Sequence, residues 1–172
     1  MSSDDQKDEF LTGTEFDAWH GCLTFMTGAM AALDRALGAA HGISLKEFDV
    51  LITLFNAPNG RLRMTALAES VVLTASGLTQ LVTRLELRGL IARDVDEGDR
   101  RSFLTTLTAA GHRRLRESRP THNDVIRSRL TRPLSENQLK QLGAIWKAVA
   151  RANAEHDARS AAVTSSQRSP SR

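Results

Sequence analysis

Ser76, Thr79, Gln80, Thr83 and Arg84 share one side of a helical repeat whose other side is Leu78, Leu81, Val82 and Leu85. The apolar positions run i, i+3, i+4, i+7, which makes one buried stripe on a helix. The opposing groups are hydroxyls, one carboxamide and one guanidinium, suited to the edges and phosphates of a DNA major groove. Ser76, Thr79 and Gln80 are the candidate base readers, because a glutamine pairs bidentately with adenine. Thr83 and Arg84 are placed to meet phosphate. Thr74 is a good N-cap, and the open N–H groups and positive dipole end near 74–77 suit a further phosphate contact. Gly77 either lets the DNA backbone come close or relieves packing against the preceding helix.

Other chemistry is not signalled. There is no Gly-rich phosphate loop, nucleophile elbow, His-Glu-x-x-His helix or charged dyad at a useful spacing, so an enzyme is not expected. His20, His41, His112, His122 and His156 form no i, i+3 or i, i+4 pair, and Cys22 is the single cysteine. Neither a metal site nor a cofactor is therefore expected, and a disulfide framework is excluded.

The reading helix needs elements to hold it. Thr12 and Glu15 form a capping box, and Phe16, Trp19, Leu23, Met26, Met30, Leu33 and Leu37 follow at alternating spacings of three and four. That heptad seam predicts a long first helix packing against another subunit, stopped by Gly42. A second helix opens at Ser44 and Glu47, with Ile43 and Phe48 as a staple and Leu45, Phe48, Leu51, Ile52 and Phe55 as its buried face. Pro58, Asn59 and Gly60 mark a turn. A short third helix buries Leu67 and Val71, and the reading helix follows at helix-turn-helix spacing until Gly89. Two strand-like runs, 90–95 and 102–107, flank a turn at 96–99, predicting a two-stranded wing that rests on the helices. Thr108 caps an Arg-rich fifth helix towards residue 130, which Pro120 should kink or divide. Ser135 and Gln138 open a sixth helix with Leu139, Leu142, Ile145 or Trp146, and Val149 as its stripe.

Composition agrees. The net charge is only +3, yet between Arg84 and Arg132 twelve Arg and no Lys stand against seven Asp or Glu. A basic second half fits a polyanion surface or a solvated helix face. The terminal stretches 1–11 and 158–172 lack apolar periodicity and are expected to be disordered. No signal peptide or apolar run of about 20 residues appears, so a cytoplasmic, non-membrane protein is expected.

Several runs together resemble the MarR family of transcriptional regulators: LAE at 67–69, LTASGLT at 73–79, RLELRGLI at 84–91, DRR at 99–101 and LTAAG at 107–111. The resemblance covers about 16–149. It implies a mainly helical homodimer with a winged helix-turn-helix lobe in each subunit, binding an inverted repeat of double-stranded DNA as a repressor. The lobe would span 43–107, with dimerisation segments at 12–42 and 108–157, and Phe16, Leu23, Leu139 and Leu142 would lie at the dimer interface. In the wing, the resemblance implies that Asp99 holds an arginine while Arg100 or Arg101 reaches the minor groove. It also implies release by a small aromatic or phenolic ligand held between the dimer helices and the lobe. Trp19, His20, Met26 and Met30 are candidates to line such a cleft, with Arg113 or Arg116 receiving an anionic group. The same Met and aromatic stripe is equally the core of an interface. Two alternatives remain open: a winged helix that binds protein rather than DNA, and a redox sensor acting through Cys22. Relatives that sense oxidants hold the thiolate with tyrosines, and this chain has none.

Overall fold

The computed structural model describes the backbone of residues 11–71, 75–96 and 99–166 and the side chains of 11–71, 76–95 and 103–160. Two compact units divide the chain, one ending at Ile126 and the other beginning at Arg127.

The first unit starts with helix α1 (Gly13–His41). Thr12 N–H donates to Glu15 Oε2 at 2.8 Å and Glu15 N–H donates to Thr12 Oγ1 at 3.4 Å, closing the expected capping box. Gly42 ends the helix at φ +63°, a left-handed conformation that glycine adopts without a Cβ penalty. Helix α2 (Leu45–Asn56) opens with the same device at Ser44 and Glu47. Asp34 of α1 adds an acceptor, its Oδ1 taking the Leu45 N–H at 2.8 Å.

The turn at Pro58–Gly60 leads into strand β1 (Arg61–Arg63), which sequence reading had not separated from it. Helices α3 (Met64–Ser70) and α4 (Ala75–Leu87) follow, then β2 (Ile91–Asp96), β3 (Asp99–Leu107) and α5 (Ala109–Ile126). The antiparallel sheet has the order β1-β3-β2, so the expected two-stranded wing is corrected to three strands at its base. Leu62 opposite Thr105, and Arg93 opposite the same threonine, give β3 partners on both edges.

The core lies where these elements meet. Leu37, Ile43, Phe48, Val50, Leu51, Leu54, Leu67, Leu78, Leu81, Val82, Leu85, Leu90, Ile91 and Leu115 form one buried cluster. Helix α2 departs from its expected face: Val50 and Leu54 are buried, whereas Phe55 is exposed. The α1 seam divides. Ala29, Ala32, Leu33 and Leu37 are buried within the unit, but Phe16, Trp19, Leu23, Met26 and Met30 stay exposed.

Helix α5 passes Pro120 undivided and ends at Ile126, short of the expected 130. One proline removes one backbone donor, and the turns on either side still hold.

The second unit opens with a wide π-helical turn (Arg127–Thr131) and continues in helix α6 (Glu136–Ser166). Ser135 N–H donates to Gln138 Oε1 at 2.8 Å, and Gln138 N–H returns a bond to Ser135 Oγ at 3.3 Å. Leu139 and Leu142 are half-buried, and Ile145, Trp146 and Val149 are exposed. The expectation of disorder from residue 158 is corrected, because α6 is helical through Ser166. Ala158, Arg159, Ala161 and Ala162 favour helix there, and no Gly or Pro intervenes between Gly143 and Pro170. Among the described residues no helix is long and apolar enough to cross a membrane.

Candidate nucleic-acid interface

Helix α4 divides into two faces as its sequence requires. Leu78, Leu81, Val82 and Leu85 are buried in the core. Ser76, Thr79, Gln80 and Arg84 are exposed, and Gly77 and Thr83 are half-buried. The structure therefore brings these six candidates to one open side; Thr74 lies outside the described residues. The one acid of the helix, Glu86, accepts from Arg93 of β2, whose Nε lies 2.9 Å away. That carboxylate is bound to the sheet, and the outward side from Ser76 to Arg84 keeps a polar and cationic character, with Leu87 exposed beyond it.

The end of α4 is closed by a glycine turn. Gly89 has φ +67°, Gly89 N–H donates to Glu86 O at 2.8 Å, and Leu90 N–H donates to Leu85 O at 2.9 Å. Those are the two crossed bonds of a Schellman cap, with Leu85 and Leu90 both buried beneath it.

In the wing, Asp96 pairs with Asp99, so Asp99 opens the returning strand rather than lying in the turn, and Arg100 and Arg101 follow it in that strand as expected. Glu97 and Gly98 lie outside the described residues, as do the side chains of Asp99, Arg100 and Arg101. Strand β1 places two arginines that sequence reading missed, Arg61 and Arg63, both exposed and opposite Thr106 and Leu104 of β3. Arg-Leu-Arg after a Pro-Asn-Gly turn is too short a run for alternation to define a strand.

The remaining candidates separate. Trp19, His20, Met26 and Met30 are exposed on α1, where the His20 ring stacks on Phe16 at 5.4 Å. Arg113 and Arg116 are exposed on α5, and among the described residues no hydrogen bond or ion pair joins them to the α1 group. The inward arginine of α5 is Arg114, which donates to the His41 carbonyl. Cys22 is half-buried on α1. Among the described residues no group of three or more His, Cys, Asp or Glu is placed to hold a metal ion.

Histidines instead brace the junction of α1, α2 and α5. His41 Nε2 lies 2.8 Å from Thr121 Oγ1, and the His122 ring stacks on Phe48 at 4.5 Å. Asp49 lies beside this stack. Its partial burial pushes the carboxyl above its ordinary value, and the positive charge of His122 opposes that rise. A carboxyl that binds its proton more tightly when folded contributes stability below the ordinary carboxylate range and loses it as pH rises through the folded value. Asp49→Asn is therefore expected to raise the melting temperature slightly at pH 7 and to leave it unchanged near about pH 3. Thermal melts at both pH values check this, and an equal gain at both would rule out burial as the cause.

Comparison with known proteins follows the same residues. A family model described as the MarR family matches residues 43–103. The chain is 33% identical over 84 residues to the transcriptional repressor YetL of Bacillus subtilis, covering 49% of this chain and 50% of that protein. It is 32% identical over 108 residues to the transcriptional repressor MprA of Escherichia coli, covering 63% of this chain and 61% of that protein. The matched stretches thus span about half to three-fifths of these curated relatives. Among solved structures, Sco3205 of Streptomyces coelicolor, a MarR family regulator crystallised with DNA, superposes with a TM-score of 0.76 at 34% identity. That match covers 83% of this chain and 93% of Sco3205.

Proposed function

The chain belongs to the MarR family of DNA-binding transcriptional regulators, and on that premise we propose that it is a homodimeric repressor of an inverted-repeat operator. The observation that carries this reading is the outward side of α4, where Ser76, Thr79, Gln80 and Arg84 stand exposed opposite a fully buried stripe. In this reading Ser76, Thr79 and Gln80 meet base edges, and Thr83 and Arg84 meet phosphate. Thr74 and Gly77 bring the amino end of α4 to the backbone, and Arg100 or Arg101, steadied by Asp99, enters the minor groove.

The homodimer is supported by the apolar side chains that α1 and α6 leave exposed, from Phe16 to Met30 and from Ile145 to Val149. Phe16, Leu23, Leu139 and Leu142 belong to that interface. Two recognition helices would then fall about 34–36 Å apart, one turn of DNA. A small aromatic or phenolic ligand would release the operator from a cleft between the dimer helices and the lobe. Trp19, His20, Met26 and Met30 would line that cleft, and Arg113 or Arg116 would receive the anionic group.

Selection of bound duplexes from random DNA, followed by titration of the selected duplex across salt concentrations, tests the reading. A palindromic consensus with steeply salt-dependent affinity is expected. Failure to enrich any sequence would favour a protein-binding winged helix instead. Within that assay Gln80→Ala is expected to narrow the gap between selected and scrambled duplex by roughly 1–3 kcal/mol. Equal weakening on both duplexes would remove Gln80 from the readers.

A further inference from the structure

Arg88 follows α4 by one residue, and its guanidinium is bound to the body of the lobe. Its Nη1 donates to Glu47 Oε1 at 2.9 Å and its Nη2 donates to the Gly42 carbonyl at 3.0 Å. Gly42 is the left-handed residue that closes α1, and Glu47 is the capping-box acid of α2. The second oxygen of Glu47 is taken by the Ser44 N–H at 2.8 Å. One planar fork therefore joins the end of α4 to the end of α1 and the start of α2 at once, a geometry that an ammonium does not reproduce.

The opposite side of the same turn is gripped by α5. Thr108 Oγ1 donates to the Gly89 carbonyl at 2.7 Å, and Thr108 N–H donates to the Leu90 carbonyl at 3.1 Å. Arg114, six residues further along, donates to the His41 carbonyl beside Gly42. The base of α4 is thus held between α1, α2 and α5, while its exposed Ser76, Thr79 and Gln80 lie towards the other end.

Leverage makes this placement consequential. A helix of 13 residues is about 20 Å long. A tilt of about 5° at its base displaces the far end by nearly 2 Å, at a rise of about 1.5 Å per residue. Hydrogen bonds to base edges do not survive such a displacement. We propose that Arg88 is a positioning residue for DNA recognition: without touching DNA, it fixes the angle at which α4 leaves the α1–α2 junction. The ion pair itself is partly exposed, with Arg88 at 39%, so its screened attraction alone contributes little to stability. Its importance lies in direction. This assignment rests on the reading of α4 as the helix that meets DNA.

The test uses full-length wild type, R88A, R88K and E47Q with a duplex that the wild type selects from random DNA. Affinity is measured over a salt series, alongside oligomeric state and melting temperature. Folded R88A is expected to bind about tenfold more weakly. The slope of log affinity against log salt should not change, because no phosphate contact is lost. R88K should recover only part of the affinity, and E47Q, which keeps the Ser44 cap, should fall between wild type and R88A. Wild-type affinity in folded R88A overturns the proposal, and so does a salt slope reduced by about one, which would mean that Arg88 itself meets phosphate. If R88A does not fold, R88K and E47Q are judged by the same two criteria. If the wild type selects no sequence, the assignment of α4 falls first and this one with it.

Discussion

Leu23→Glu is expected to turn the protein into a monomer and to weaken operator binding by roughly 10²- to 10⁴-fold. Leu23 lies midway along the exposed part of the α1 stripe, between Trp19 at 58% and Met26 at 40% exposure. Its side chain adds nothing to the core of the lobe, which begins at Ala29 on this helix. Each large apolar side chain taken fully out of water contributes roughly 1.5–3 kcal/mol. In the proposed homodimer a carboxylate there removes one such contribution and sets a charge in an apolar seam, twice over across a two-fold axis. A lobe released from its partner binds one half-site without the effective concentration that the second supplies. Light scattering at micromolar concentration and titration of a selected duplex check both parts. Circular dichroism should report an unchanged helical content in the folded variant. A dimer that retains wild-type affinity would place the subunit contact elsewhere.

Gly111→Ala is expected to destabilise the lobe by about 3 kcal/mol, the upper end of the range for overpacking. A Cβ at Gly111 would stand 2.0 Å from the Leu90 carbonyl oxygen and 3.2 Å from Leu107 Cδ2. The first obstacle is backbone, and it is not free to yield. Leu90 O already accepts from the Thr108 N–H at 3.1 Å, and Gly89 O from the Thr108 hydroxyl at 2.7 Å. Relief requires α5 to lift from the turn that ends α4, which breaks those bonds and opens the core at Leu115, Leu90 and Ile91. Urea unfolding should show a lowered midpoint with an unchanged slope. An unchanged midpoint would mean that the two segments separate at little cost. Because the same turn carries the Arg88 fork, folded Gly111→Ala protein should also lose DNA affinity.

Much of the lobe was legible because its signals are local. The capping boxes at Thr12 and Ser44 need partners three residues away, and the structure contains both. The α4 stripe and its outward polar side follow from helical period alone, which is why those candidates emerged together. Strand β1 was missed because three residues give too short a run to show alternation, and only pairing with β3 defines it. The helical stretch at 158–166 was missed for another reason. That stretch carries no apolar period to read, and α6 continues through it on the helix propensity of residues such as Ala158, Arg159, Ala161 and Ala162.

The seam of α1 marks where sequence reading ends. Seven apolar positions in heptad register made a long amphipathic helix, but not what each position touches. Folding assigned Leu33 and Leu37 to the core of the lobe and left Phe16 to Met30 uncovered. Among the arginines of α5, sequence reading chose Arg113 and Arg116 for contact, and the structure turned Arg114 inward to the end of α1. Arg84 and Arg88 stand one helical turn apart, yet the first is exposed on the side proposed to meet DNA and the second is bound to Gly42 and Glu47.

Sequence by itself thus determined the caps, the buried stripe and the chemical character of the outward side of α4. Only the tertiary structure decided which arginines hold the helix and which remain exposed to meet a partner. A period of 3.6 residues fixes the faces of one element, but the neighbour of each face depends on residues dozens of positions away.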